Sequence, residues 1–275
     1  MPYIAIGQRN LFYQDQGSGF PILFGHSYLW DAAMWAPQVQ VLSSSYRCIV
    51  PELGGHGRSD PPPVSPCPVE RLAGDHWELV TALGLESFAL IGLSVGGMWG
   101  LHLALEHPQA VKALVLMDTF VGPEPEETHH RYFKMLDMVE QAGTIPAPLI
   151  EAIVPLFFSP VTIQHNPVLV NRFRESLASL SKEQTPGIVS IGRGIFSRTS
   201  LLDRLGEIQI PTLIIVGADD RSRPPHEARQ MAEMIPDARL EIIEEAGHVS
   251  NLEQPERVTA LLQAFLRESL STASA

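Results

Sequence analysis

The 275-residue chain has few cysteines, no excess of basic residues and no long apolar run. Its two cysteines, Cys48 and Cys67, do not make a disulfide framework, and they fit a reducing compartment. The formal net charge of −12 disfavours binding to nucleic acid or to an anionic membrane surface. No segment approaches the roughly 18 apolar residues of a membrane span, and the N-terminus lacks a basic segment followed by an apolar one. We therefore expect a cytoplasmic protein, a monomer or a homodimer, whose partners are small molecules.

The sequence also has little that indicates a metal or cofactor site. The glycine-rich stretch at residues 54–59 fits neither a dinucleotide-binding glycine motif nor a phosphate-binding loop with its lysine, so we interpret it as a structural turn. Six scattered histidines lack the paired spacing with carboxylates that a metal site requires, namely His102, His107, His129, His130, His165 and His226. We therefore expect neither a cofactor nor a metal ion.

Apolar runs of strand length alternate with helical patterns over much of the chain. Alternation of this kind indicates right-handed β-α-β units, and continuous apolar runs suit strands that are covered on both faces. We therefore predict an α/β fold with a mostly parallel, twisted, eight-stranded sheet and helices on both faces. Ligands of such sheets bind beyond the carboxyl ends of the strands. The predicted strands are residues 3–6, 11–14, 21–25, 46–50, 88–91, 111–117, 211–217 and 239–243.

The pattern changes between residues 121 and 206. Strand-like runs are absent there, and proline and glycine separate helical segments such as 128–142, 148–158 and 167–180. A chain of 275 residues is long enough for one large α/β domain with an insertion. We interpret residues 121–206 as a helical lid, inserted into a core domain that consists of residues 1–120 and 207–275.

A serine between two glycines follows the predicted strand at residues 88–91. In Gly92-Leu93-Ser94-Val95-Gly96 the chain passes from strand to helix within about two residues, which forces the serine into a strained turn. The glycines leave room for the two backbones to approach each other. The hydroxyl of Ser94 then lies at the N-terminus of a helix, where free N–H groups favour developing negative charge. This is the position of a nucleophile.

Together these motifs resemble the α/β-hydrolase superfamily, and the resemblance covers nearly the whole chain. In that family the catalytic triad follows the order serine, acid, histidine along the sequence. The resemblance implies that Ser94 is the nucleophile, Asp220 the acid and His248 the base, each at the carboxyl end of a predicted strand. Asp219, which adjoins Asp220, and Asp118, at a position where some branches of the family have the acid, are alternatives.

The same resemblance implies two backbone donors for an oxyanion. They are the N–H of Val95, which follows the nucleophile, and the N–H of Tyr28. The family usually has His-Gly before the second donor, whereas this chain has His26-Ser27. The donor is a main-chain group, so a change of side chain leaves it in place. We expect His26 itself to be a hydrogen-bonding scaffold residue rather than a catalyst.

A serine nucleophile predicts hydrolysis through an acyl-serine intermediate. We expect a carboxylesterase or lactonase that acts on small to medium esters. The resemblance leaves open a cofactor-free haloperoxidase or perhydrolase, an enol-lactonase, and a ligand-binding receptor without turnover. An enol-lactonase would have to hold a substrate carboxylate, for which Arg131, Arg193 and Arg198 are candidates.

Aromatic residues near the nucleophile and in the predicted lid are candidates for an apolar substrate pocket. Most aromatic residues on helices belong to the core, so we expect roughly a third of them to face the site. The candidates for substrate contact are Trp30, Trp99, Phe120, Tyr132 and Phe157, and Tyr28, Phe133 and Phe158 belong to the same set.

Overall fold

A computed structural model describes residues 2–271, and an eight-stranded sheet lies at its centre. The strands are β1 (Tyr3–Ile6), β2 (Arg9–Gln16), β3 (Phe20–Gly25), β4 (Tyr46–Pro51), β5 (Phe88–Leu93), β6 (Val111–Met117), β7 (Thr212–Gly217) and β8 (Arg239–Ile243). They lie in the order β1-β2-β4-β3-β5-β6-β7-β8. β2 is antiparallel to both β1 and β4, and the pairs from β4 onward are parallel. The predicted α/β fold with a mostly parallel sheet is confirmed.

The central strands are buried because helices cover both faces of the sheet. Every residue of β5 and of β7 is buried, whereas the edge strand β1 has exposed positions. The pairing of β3 with β5 sets Gly25 opposite Gly92, so the loops that follow these two strands begin side by side. Because β3, β5, β6, β7 and β8 all run in the same direction, the loops after their carboxyl ends meet at one edge of the sheet.

Helices bury one apolar cluster on each face of the sheet. Side chains alternate across a strand, so Ile22 and Phe24 of β3 belong to one cluster, and Leu23 between them belongs to the other. The helices are α1 (Ala36–Leu42), α2 (Val69–Ala82), α3 (Val95–Glu106), α4 (Glu126–Ala142), α5 (Ala147–Phe157), α6 (Pro160–His165), α7 (Pro167–Ala178), α8 (Thr185–Phe196), α9 (Pro225–Met234), α10 (Ser250–Glu253) and α11 (Pro255–Ser271). The first cluster includes side chains of α1 and α11, and the second includes side chains of α2, α3 and α9.

Helices α4 to α8 lie between β6 and β7, in the part of the chain whose pattern predicted helices; we call residues 121–206 the helical segment. Within it, α4 packs against α8 and α5 packs against α7. α8 also contacts loops of the sheet. The Tyr28 hydroxyl donates a hydrogen bond to the carbonyl of Ile188 (2.8 Å), and the N–H of Cys67 donates to the carbonyl of Ser190 (3.1 Å). The helical segment is therefore hydrogen-bonded to the loops beside the sheet.

Candidate active site

Ser94 lies in a strained turn between β5 and α3. Its φ of 56° and ψ of −119° are unfavourable for a residue with a side chain. Two glycines make the turn possible: a Cβ on Gly92 would lie 2.3 Å from the carbonyl oxygen of Gly96, and a Cβ on Gly96 would lie 2.2 Å from that of Gly25. The Ser94 N–H donates to the carbonyl of Met117 (2.8 Å), which holds the turn in place. Neighbouring chain segments therefore maintain the strain that presents the hydroxyl.

The backbone groups expected to bind an oxyanion lie near this turn. Val95 is the first residue of α3, and the first N–H groups of a helix have no partner within it. The positive end of α3 therefore lies directly after Ser94, its N-cap residue. Tyr28 follows β3, the neighbour of β5 in the sheet, and it lines the same cavity as Ser94.

His248 and Asp220 are joined by a buried hydrogen bond. The Nδ1 of His248 donates to Oδ2 of Asp220 (2.8 Å), and both residues are only 3% exposed. The other carboxylate oxygen, Oδ1, accepts the N–H groups of Ser222 and Arg223, each at 2.8 Å. A carboxylate only accepts hydrogen bonds, so it keeps the proton on Nδ1 and leaves Nε2 of His248 free to accept a proton.

The two alternative acids make different contacts. Asp118 accepts the N–H of Gly217 at Oδ1 (2.8 Å) and the hydroxyl of Ser250 at Oδ2 (2.6 Å). Burial, reinforced by the charge of Asp220, raises the pKa of Asp118 well above its usual value. Asp219 is exposed, and its N–H donates to the carbonyl of Ala246 (2.9 Å). Of the three carboxylates, Asp220 is the one that accepts a hydrogen bond from His248.

The loop after β3 is held by two buried, neutral histidines. His26 donates from Nδ1 to the carbonyl of Ser27 (2.8 Å) and accepts the N–H of Leu53 at Nε2 (2.9 Å). The Nε2 of His56 accepts the N–H of Leu29 (3.3 Å). Burial lowers the pKa of both rings, that of His56 to about 3. Both histidines hold loop backbone in place next to Tyr28.

Ser94 and His248 open into one cavity, which has an empty volume of about 780 Å³, part of it continuous with solvent. Its polar lining comes from Tyr28, Ser94, Tyr132, Ser222, Arg223 and His248. The rest is apolar and comes mainly from α4, α5 and α8, with Met135, Leu136, Val139, Ile145, Leu149, Ile153, Leu156, Phe157, Ile188, Ile195 and Phe196.

The aromatic residues predicted to contact substrate lie in three places: at the cavity, at a neighbouring cavity and in the core. Tyr132 and Phe157 line the cavity, and the Phe157 ring lies edge-on to the His248 ring at 5.3 Å. Trp30 lines a neighbouring cavity and stacks on a helical-segment ring, that of Phe173, at 4.7 Å. Trp99 and Phe120, which were also predicted to contact substrate, are instead packed in the core. The Trp99 ring is fully buried and stacks on His76 at 3.8 Å, and the buried Phe120 packs against Gly122.

Apart from Tyr132 and Phe157, the residues that the helical segment contributes to the lining were not predicted from the sequence. A signal for them exists, because Tyr132, Met135, Leu136 and Val139 follow the three- and four-residue spacing of one helix face. That spacing is shared by every helix that packs on a core, so it does not tell which stripe borders a cavity.

The three arginines predicted to hold a substrate carboxylate are engaged elsewhere. Arg131 donates to the Tyr132 hydroxyl (3.4 Å), and Arg193 pairs with Asp137 at 2.7 Å and with Glu140 at 2.9 Å. Arg198 is buried and pairs with Glu124 (2.9 Å), and burial lowers its pKa to about 10. The arginine that does line the cavity is Arg223, which pairs with Glu124 and, at 3.6 Å, with Glu227. Two buried arginines and two buried glutamates thus balance each other beside the cavity.

The chain belongs to the α/β-hydrolase fold family, whose sequence model matches residues 21–255. It is an enzyme of that family. A thermophilic esterase from Thermogutta terrifontis superposes with a TM-score of 0.89 at 30% identity, covering 98% of this chain and 99% of that one. The enol-lactonase from Burkholderia xenovorans LB400 gives a TM-score of 0.86 at 28% identity, covering 97% of this chain and 100% of that one. A protein of Azorhizobium caulinodans that is named as a carbamate hydrolase is 27% identical over 98% of this chain and 99% of its own length.

None of the helices in residues 2–271 is both long enough and apolar enough to cross a membrane. Over the same residues, no three His, Cys, Asp or Glu side chains are grouped in a way that could hold a metal ion.

Proposed function

We propose that the protein is a serine hydrolase that cleaves small to medium carboxylic esters or lactones through an acyl-serine intermediate. The observation that carries the proposal is the position of Ser94 and His248 at one apolar cavity, with His248 hydrogen-bonded to the buried Asp220. The likeness to an esterase and to an enol-lactonase over nearly the whole chain supports the same chemistry.

In the proposed reaction, the Oγ of Ser94 attacks the acyl carbon while Nε2 of His248 takes the hydroxyl proton. The N–H groups of Val95 and Tyr28 stabilise the negative oxygen of the tetrahedral intermediate. The intermediate collapses, and the alcohol leaves with the proton from His248. Water then attacks the acyl-serine in the same way, releasing the acid and restoring the serine. Asp220 keeps the Nδ1 proton of His248 in place and stabilises the imidazolium at each proton transfer.

The lining of the cavity favours an uncharged, apolar acyl group. Methionine, leucine, isoleucine and valine side chains of the helical segment form most of its wall, and burial of apolar surface is the main source of affinity they can supply. Arg223 is the arginine in that lining, and it pairs with Glu124 and Glu227. An ester or lactone without a carboxylate therefore fits the described cavity better than a carboxylate-bearing enol-lactone.

The experiment is hydrolysis of p-nitrophenyl esters from acetate to octanoate, with uncharged lactones as a second series. We expect wild-type turnover, and a loss of about a millionfold in kcat for Ser94→Ala, by analogy with removal of a nucleophile in other serine hydrolases. Ser45→Ala, a change at an exposed serine, is the matched control. Equal rates for wild type and Ser94→Ala would overturn the proposal, and binding of the esters without turnover would favour a receptor. Peracid formation from hydrogen peroxide and a carboxylic acid would indicate a perhydrolase.

A further inference from the structure

The loop that carries His248 is attached to the C-terminal end of α5. The N–H of His248 donates to the carbonyl of Phe157 (2.9 Å). The Ser159 hydroxyl donates to the carbonyl of Glu245 (3.0 Å). These two bonds join residues 245–248, which we call the base loop, to residues 157–159 of the helical segment.

A carboxylate makes a third connection between the same two segments. Oε1 of Glu253 accepts the N–H of Gly247 (2.7 Å), and Oε2 accepts the N–H of Ser159 (2.8 Å). A carboxylate suits this bridge because both of its oxygens accept hydrogen bonds, whereas an amide would point a donor at one of the two N–H groups. Burial raises the pKa of Glu253, and the hydrogen bonds that it accepts oppose this effect.

The base loop and the end of α5 are also in direct backbone contact. A Cβ on Gly247 would lie 2.7 Å from the nitrogen of Ser159 and 2.8 Å from the carbonyl carbon of Phe158. No side chain fits between the two segments at this point. Their separation is therefore set by backbone contact together with the Glu253 bridge.

The same end of α5 forms part of the cavity wall. Leu156 and Phe157 line the cavity, and the carbonyl of Leu156 accepts the hydroxyl of Ser222 (2.9 Å), two residues after Asp220. The loop with the acid, the loop with the base and the substrate-facing wall thus converge on one helix end.

We propose that Glu253 is a positioning residue, whose carboxylate holds the base loop against the end of α5 and so sets where His248 lies relative to Ser94 and to the bound acyl group. This inference rests on the proposed role of His248 as the base. A displacement of about 1 Å in a reacting group can lower a rate about a hundredfold. Loss of the bridge is therefore expected to slow the chemical step more than it weakens substrate binding.

The first test is Glu253→Gln, assayed with p-nitrophenyl butyrate after titration of active sites with a p-nitrophenyl phosphonate. We expect kcat per titrated site to fall about tenfold to a hundredfold, and KM to stay within about twofold, because the acyl cavity is unchanged. Glu256→Gln, a change at an exposed carboxyl three residues further along the chain, is the matched control and should keep wild-type values. A purely structural role would lower the number of titrated sites or the melting temperature while leaving kcat per site unchanged.

The second test breaks the bridge from the other side. Ser159 has φ −63°, and Phe158 before it is extended at φ −118° and ψ 145°, so the backbone angles at position 159 suit proline. The proline ring would take the place of the N–H hydrogen beside Gly247 and Glu253, so it would also push the two segments apart. Ser159→Pro removes the N–H that Glu253 accepts, and Ser159→Ala keeps that N–H while removing the hydroxyl. We expect a lower kcat per site for Ser159→Pro than for Ser159→Ala, and little further loss when Glu253→Gln is added to Ser159→Pro.

The proposal is overturned if Glu253→Gln keeps the wild-type kcat per titrated site, or if Ser159→Pro and Ser159→Ala are equally active. Should Glu253→Gln fail to fold, the comparison at position 159 decides alone. Failure of the proposed function gives a different result, because Ser94→Ala and wild type would then hydrolyse the ester equally.

Discussion

Two regions contribute different side chains to the candidate site: the edge of the sheet where the parallel strands end contributes polar ones, and the helical segment contributes mainly apolar ones. At the edge, polar side chains are held by short bonds to backbone groups, as Asp220 is by two N–H groups at 2.8 Å. The helical segment contributes mainly apolar side chains to the cavity. Hydrogen bonds fix direction, whereas apolar packing sets size and shape. The chemistry is thus expected to depend on the edge, and the choice of substrate on the helices.

A buried ionic group connects the two regions. Glu124 of the helical segment pairs with Arg198 of the same segment and with Arg223, which follows β7. Burial opposes the charge of Glu124, but the two guanidinium groups outweigh it and lower the pKa of this carboxyl. Because unpaired buried charges are strongly unfavourable, the group favours one arrangement of the segment on the core.

After the loss of the nucleophile in Ser94→Ala, the largest effect is expected for Asp220→Asn at the edge of the sheet. The amide would direct its NH₂ group at Nδ1 of His248 and so favour the tautomer that carries its proton on Nε2, which cannot accept a proton from Ser94. We expect kcat to fall about 10⁴-fold for every acyl chain length. Steady-state kinetics on the p-nitrophenyl ester series measures this.

Asp219→Asn provides the matched comparison, because Asp219 is adjacent and exposed. It should retain nearly all activity. Loss of activity in Asp219→Asn with retention in Asp220→Asn would reassign the acid and contradict the division of roles between the two regions.

An intermediate effect is expected for Val139→Phe in α4. The larger side chain fills part of the cavity, so kcat/KM for octanoate should fall about tenfold to a hundredfold relative to acetate, in line with the effect of small volume changes in apolar pockets. Met138→Phe, at the next residue, which is 42% exposed, should leave the ratio unchanged. An equal loss for short and long esters would show that this wall does not select the acyl group.

The smallest effect concerns stability rather than activity. Burial lowers the pKa of His76 in α2 from 6.5 to about 4, so between these pH values the unfolded chain binds a proton that the folded chain does not. The free energy of unfolding therefore loses up to about 1.4 kcal/mol per pH unit as the pH falls through this window. His76→Phe retains a ring for stacking on Trp99. In this variant the free energy of unfolding should change less steeply with pH, by up to about 1.4 kcal/mol per pH unit.

Urea denaturation at pH values from 7 to 4.5 measures the change. His130→Phe, which makes the same change at an exposed position of the helical segment, is the control. A shared slope for wild type and His76→Phe would mean that His76 is not held neutral by the fold.

Much of the fold could be predicted because its signals are local. The apolar run before Gly92 and the glycines around Ser94 already indicate a strand, a tight turn and a helix. The position of a candidate site residue could be predicted where that residue follows a strand directly, since the parallel sheet brings all such ends to one edge. His248 and Asp220 are separated by 28 residues in the chain and are hydrogen-bonded in the structure.

The remaining features depend on side-chain direction, which the sequence pattern did not indicate. α3 is buried on all sides, so apolar periodicity gives no sign that Trp99 points to α2 rather than to the substrate. Nothing in the sequence pattern marks Arg223, which lies three residues after Asp220. Its role follows from its ion pair with Glu124, a residue that is distant in the chain. Glu253 likewise gains its partners from two separate loops.

The sequence by itself determined the order of strands and helices, the strained serine turn and the family, because these depend on periodicity and on residues close together in the chain. Only the tertiary structure decided which carboxylate bonds to His248, which aromatic rings border the cavity and how the end of α5 contacts the base loop. Those features depend on contacts between residues far apart in sequence, and packing of the whole chain is what brings such residues together.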